Sequence, residues 1–136
     1  MHSKSDFSFK GAKTLVVADG SCPRVRELLI EAHAPVLWLE GIYPLETVSQ
    51  ALEERRSQGE PVEELHWVSH GRPGVLQVAG RDVDRDSLLK HQELLSDWRI
   101  ETIALWSCNA GQCQNFTSLI EELTGATVWS SLQPLG

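Results

Sequence analysis

The chain has 136 residues, 41% of them hydrophobic and 23% charged, with a formal net charge of −7. This is the composition of one globular domain rather than two or of a disordered chain, and its negative balance argues against a nucleic-acid or anionic-membrane surface, which calls for a basic field. No apolar run reaches the roughly 18 residues of a membrane span, and the first twelve residues, MHSKSDFSFKGA, lack the apolar core of a secretory signal.

Residues 1–12 read as an N-terminal tail and residues 13–136 as a single domain. Five short runs rich in branched and aromatic residues occur in succession: Thr14–Ala18, Val36–Leu39, Leu65–Ser69, Thr102–Trp106 and Ala126–Trp129. Continuous apolar runs of this length suit strands buried on both faces. Between them lie amphipathic stretches at helical spacing, marked by Val25, Leu28, Leu29 and Ala32, by Leu45, Val48, Ala51 and Leu52, by Leu88, Leu89, Gln92 and Leu95, and by Phe116, Leu119, Ile120 and Leu123. Pro23 and Pro44 stand where a first helical turn starts, Gly59 and Gly125 where a helix stops, and Asp86 is the expected N-cap of the helix carrying Leu88. Alternating strands and helices predict an α/β fold, a three-layer α-β-α sandwich on a mostly parallel five-stranded sheet of order 2-1-3-4-5. One excursion interrupts the pattern: Arg72–Asp84, RPGVLQVAGRDVD, reads as a small hairpin after the third strand, turning at Ala79-Gly80.

Parallel sheets place their sites in the loops at the carboxyl ends of the strands. Here the third strand ends in Ser69-His70-Gly71 and the fourth in Ser107-Cys108-Asn109. Strands joined by one crossover are usually neighbours, so His70 and Cys108 are expected side by side. A thiol beside an imidazole is the minimum apparatus for nucleophilic catalysis: the imidazole takes the proton and the sulfur attacks a carbonyl. The amides of Gly71 and Cys108 are the expected oxyanion hole. Asp19, Asn109 and Ser130 complete the expected site as substrate-binding residues.

An apolar strand ending in His-Gly, then a second ending in Cys before a small-residue turn, resembles the caspase–gingipain–clostripain group of cysteine peptidases. The segments VSHGRPGVLQV, IALWSCNAGQ and LTGATVWSS are similar to a bacterial domain of unknown function, DUF4347, found near the amino end of very long, repeat-rich surface or secreted proteins. The resemblance spans roughly residues 14–131. It implies a caspase-like fold, with His70 as base, Cys108 as nucleophile and Gly71 in the oxyanion hole, acting on a peptide or protein substrate. Relatives that cut after basic residues carry an acid two positions before the nucleophile; Trp106 stands there in this chain, so no pocket for a basic side chain is expected.

The expected function is therefore cysteine-peptidase-like hydrolysis, extending to self-processing of a longer parent protein. The alternative is a non-catalytic recognition or adhesion module on the same fold. A flavodoxin-like ligand-binding domain ranks third, because no phosphate-cradling glycine loop comes after the first strand. Neither a metal nor a cofactor is expected: His66, His70, Cys108 and Cys113 lack metal-ligand spacing, and Asp19 lacks the acidic neighbours of a phosphoacceptor. Cys22 and Cys113 are expected to be bystanders without a thiol partner. No membrane insertion is expected, and the cellular location stays open between cytoplasm and export without an N-terminal signal.

Overall fold

A computed structural model describes residues 2–4, 13–29, 35–107 and 113–131. Its strands are β1 (His2–Lys4), β2 (Thr14–Asp19), β3 (Val36–Leu39), β4 (Glu64–Val68), β5 (His70–Arg72), β6 (Val75–Val78), β7 (Arg81–Val83), β8 (Thr102–Trp106) and β9 (Thr127–Ser131). The helices are α1 (Pro23–Leu28), α2 (Pro44–Ser57), α3 (Arg85–Lys90), α4 (Gln92–Ser96) and α5 (Gln114–Thr124).

The main sheet is parallel throughout and runs β1-β9-β8-β4-β2-β3. The five strands expected from the apolar runs (β2, β3, β4, β8, β9) thus lie in the expected order, second-first-third-fourth-fifth. A sixth joins the edge: His2–Lys4, within the segment read as a tail, pairs with Trp129–Ser131.

Helices cover both faces, unequally. The chain steps one way from β2 to β3 and the other way in every later crossover, so right-handed connections send α1 to one face and the later helices to the opposite one. On the broad face, Leu45, Val48 and Leu52 of α2, Leu88 of α3, Leu95 of α4 and Phe116 and Ile120 of α5 close over Leu15, Val17, Leu65, Trp67, Ile103 and Leu105. On the other face, Cys22, Val25 and Leu29 pack on Val16, Ala18, Val68, Ala104 and Trp106. The alternation of buried side chains along β2, β4 and β8 between these two clusters is why their sequences read as unbroken apolar runs.

Helix punctuation agrees with the proline signals of α1 and α2 and the glycine signal of α5. Pro23 and Pro44 open α1 and α2, and Gly125 ends α5 at φ 77°. The cap of α3 differs from expectation. Asp84, not Asp86, is the N-cap: its extended backbone (φ −133°, ψ −172°) lets the carboxylate accept from Ser87 N–H, while Ser87 Oγ accepts from Asp84 N–H. This reciprocal capping box fixes the start two residues earlier. The amphipathic stretch beyond it forms two short helices, breaking at His91, where Nδ1 lies 2.8 Å from the Ser87 carbonyl oxygen.

The excursion after the third parallel strand is a three-stranded antiparallel meander, β5-β6-β7, rather than a two-stranded hairpin. Its second turn is the one read from Ala79-Gly80, with both residues at positive φ (50° and 77°), the twist that suits a two-residue hairpin. Its added first strand begins at His70. Leu76, Val78 and Val83 plug the meander into the main core, and Gln77 faces outward.

Candidate active site

β2 and β4 are adjacent, and the chain leaves them towards opposite sides of the sheet. The crevice above their carboxyl ends is therefore the topological switch point, where open α/β sheets seat ligands. The turn after β2 supplies Asp19, Gly20, Ser21 and Cys22; the end of β4 supplies Ser69 and His70.

The turn is rigid for identifiable reasons. Asp19 is 5% exposed, and its Oδ1 accepts from Ser21 N–H (3.0 Å), Ser21 Oγ–H (2.6 Å) and, across the crevice, Ala79 N–H (3.2 Å). The last bond ties the tip of the meander to the end of β2. Arg26 of α1 donates through Nε to the Gly20 carbonyl (3.0 Å) and through Nη2 to Glu40 (2.7 Å), and its guanidinium lies over Trp38. Cys22 precedes Pro23, which restricts it to the extended backbone it adopts (φ −103°, ψ 110°).

This turn aims Cys22 at His70. The sulfur lies 3.1 Å from Nε2 of the imidazole, within hydrogen-bond reach. Cys22 is buried and His70 half-buried. Cys22, expected to stand apart from the site, is thus the described residue whose side chain meets the imidazole of the expected base. The topology carried a signal for it. Once the first and third strands are neighbours, a residue shortly after one meets the residue that ends the other.

Of the other expected site residues, Gly71 is half-buried in β5, opposite Leu76. Cys108 and Asn109 lie outside the described residues. The strand that leads to them ends level with β4: Val68 pairs with Trp106, Ser69 N–H donates to the Trp106 carbonyl (3.4 Å), and Ser107 is buried with its Oγ lacking a hydrogen-bond partner among the described residues. Ser130 is buried in β9, level with Leu105 and one residue before the strand ends. Asp19 ends β2, and its Oδ1 is held by the turn and the meander.

Two other groups bear on the chemistry available. His66 is fully buried; its Nδ1 accepts from Trp106 Nε1–H (2.8 Å) and its Nε2 meets Glu64 Oε1 (2.6 Å), which fixes the neutral Nε2–H tautomer. It holds Trp106, the buried last residue of β8. Cys113, the N-cap of α5, faces the meander turn at Gly74 and is a free thiol, as is Cys22. No group of three or more His, Cys, Asp or Glu side chains suited to a metal occurs among the described residues. Among those residues no helix is long and apolar enough to cross a membrane.

A further open cleft of about 390 Å³ lies beside the meander, lined by Ile42, Tyr43, Arg81, Asp82, Lys90 and His91 among others. It is separate from the thiol–imidazole contact but not remote. His70 and Asp82 both pair with Gln77, from opposite sides; two strand spacings put their Cα atoms about 10 Å apart. Tyr43 and Ile42, at 61% and 53% exposure, are the most exposed large hydrophobic residues at its edge.

Compared with known proteins, residues 15–136 match the family model DUF4347, described as a domain of unknown function. No curated protein and no solved structure matches the chain.

Proposed function

The chain belongs to the DUF4347 family, and we propose that this member is a cysteine hydrolase of peptide bonds, with His70 as general base and Cys108 as nucleophile. The observation that carries this reading is the level ending of β4 and β8, Val68 against Trp106. The strands that precede His70 and Cys108 in sequence are neighbours and end at the same edge of the sheet, which supports pairing the two residues. The likeness of both strand ends to the caspase–gingipain–clostripain group supports the same assignment, and a caspase-like ancestry for the fold.

The chemistry uses those groups in turn. His70 takes the proton of the Cys108 thiol, and the sulfur forms a bond to the scissile carbonyl carbon. The oxyanion that develops is met by the amides of Gly71 and Cys108. The carbon–nitrogen bond then breaks as His70 returns the proton to the leaving nitrogen. Water, deprotonated by the same imidazole, hydrolyses the thioester and restores the thiol. The cleft at Tyr43 and Arg81 suits a peptide partner, because about three extended residues span the 10 Å or so from His70. Trp106 beneath the site argues against a basic side chain at the scissile position.

The test is cleavage of a peptide library, and of a chain extended past Gly136 by the downstream residues of its parent protein, by the wild type, Cys108→Ala and His70→Ala. Cleavage should vanish in Cys108→Ala and fall by about 10²–10⁴ in His70→Ala, the range of a positioned general base. Cleavage that survives Cys108→Ala overturns the proposal. Absence of both turnover and a trapped acyl-enzyme in the wild type favours the recognition-module reading instead.

A further inference from the structure

We propose that Cys22 is a positioning residue for His70: its sulfur accepts the Nε2 proton of the imidazole and so leaves Nδ1 as the nitrogen that takes the thiol proton. The inference rests on the reading of His70 as the base for Cys108. Its starting point is the 3.1 Å contact between Cys22 Sγ and His70 Nε2.

A neutral imidazole has one N–H and one lone pair, so its two nitrogens must play opposite roles. A base needs its lone pair towards the nucleophile, and the nitrogen facing away must then donate. With Nε2 committed to Cys22, the working nitrogen is Nδ1, and the sulfur has to be the acceptor. The contact must also survive catalysis. When His70 carries the extra proton, both nitrogens donate, and a sulfur that already accepts needs no rearrangement. A thiol that donated to Nε2 would then face a second donor.

The setting of Cys22 fits a positioning role. The residue is buried, 7% exposed, among Val16, Ala18, Val25 and Val68. Its backbone is fixed by the bond from Cys22 N–H to the Asp19 carbonyl, by Arg26 N–H donating to the Cys22 carbonyl, and by the adjoining Pro23. A partner that cannot move selects one ring orientation out of two. A carboxylate in this place would do the same with a full charge; a sulfur is a weak acceptor, so its effect is on tautomer and orientation rather than on basicity.

The experiment is imidazole nitrogen–proton correlation spectroscopy on the whole chain at a pH where His70 is neutral. It is paired with the rate at which iodoacetamide alkylates Cys108, resolved by peptide mapping. In the wild type His70 should be the Nε2–H tautomer. Cys22→Ala should give a mixture of tautomers and slow Cys108 alkylation by about 10- to 100-fold, the usual effect of removing an outer partner that orients an imidazole. Cys22→Ser, which keeps a lone pair at the same place, should restore the tautomer and most of the rate. An Nδ1–H tautomer in the wild type overturns the inference even if Cys22→Ala does not fold. So does an unchanged tautomer in Cys22→Ala, or an equal loss of rate in Cys22→Ser. Failure of the underlying reading looks different: His70→Ala would leave Cys108 alkylation unchanged whatever the tautomer of the wild type.

Discussion

Replacing Asp19 separates an anchor from a substrate ligand. Its carboxylate accepts three hydrogen bonds: two from Ser21 within its own turn and one from Ala79 at the meander tip. In Asp19→Ala all three donors lose their partner. Ser21 is exposed and Ala79 half-buried, so water recovers part of each bond. Taking about 1 kcal/mol for each incompletely recovered donor, the loss is about 2–3 kcal/mol. Asp19→Asn keeps Oδ1 as an acceptor and gives up only the charge, which should cost about 1 kcal/mol. Urea denaturation of both variants at pH 7 measures the difference, with unchanged m-values as the check that the denatured state is comparable. Because β5 begins at His70 and Ala79 comes directly after β6 of the same meander, Asp19→Ala should also loosen the imidazole and slow Cys108 alkylation, while Asp19→Asn should not. If Asp19→Ala lies within 0.5 kcal/mol or so of the wild type, or if the two variants are equally impaired, the anchoring argument is wrong.

Asp84→Ala removes the N-cap of α3 and should cost about 1 kcal/mol at neutral pH. The Ser87 N–H holds the Asp84 carboxyl below its ordinary value of 3.8. The stabilisation is therefore present above that value and lost as pH falls through the lower folded-state value, so melts of wild type and variant should converge in acid. Gly74→Ala places a side chain at φ +79° and a Cβ 3.4 Å from Cys113 Sγ; a destabilisation of about 1–2 kcal/mol in chemical denaturation is expected. Leu65→Ala, fully buried in β4, should cost about 2–5 kcal/mol by the same assay.

The sheet is legible in the sequence because its central parallel strands are buried on both faces. TLVVA and TIALW are too short for helices and too apolar for loops, and right-handed crossovers leave few orders for them. The edge strand His2–Lys4 has no such pattern: HSK is polar and its pairing depends entirely on a partner at the other end of the chain. The first meander strand hides for a related reason, since HGR carries a glycine and no branched side chain, and its strand character comes from β6. At α3 two aspartates precede the same apolar positions, and only the reciprocal bond from Ser87 decides between Asp84 and Asp86. In the crevice, His70 and Asp19 were legible from their places at strand ends. The Cys22 contact follows from the expected neighbouring of the first and third strands together with the extended backbone that Pro23 imposes, and it leaves no motif spacing along the chain.

The central claim is that His70 activates the Cys108 thiol, and its most direct test is the alkylation rate of Cys108 against that of Cys113 in the same molecule at pH 7. An ordinary thiol, with a pKa near 8.5, is about 3% thiolate at this pH. Activation by His70 should make Cys108 react at least about tenfold faster than Cys113, and His70→Ala should abolish that advantage. Equal rates at the two cysteines, or a Cys108 rate indifferent to His70→Ala, would contradict the account.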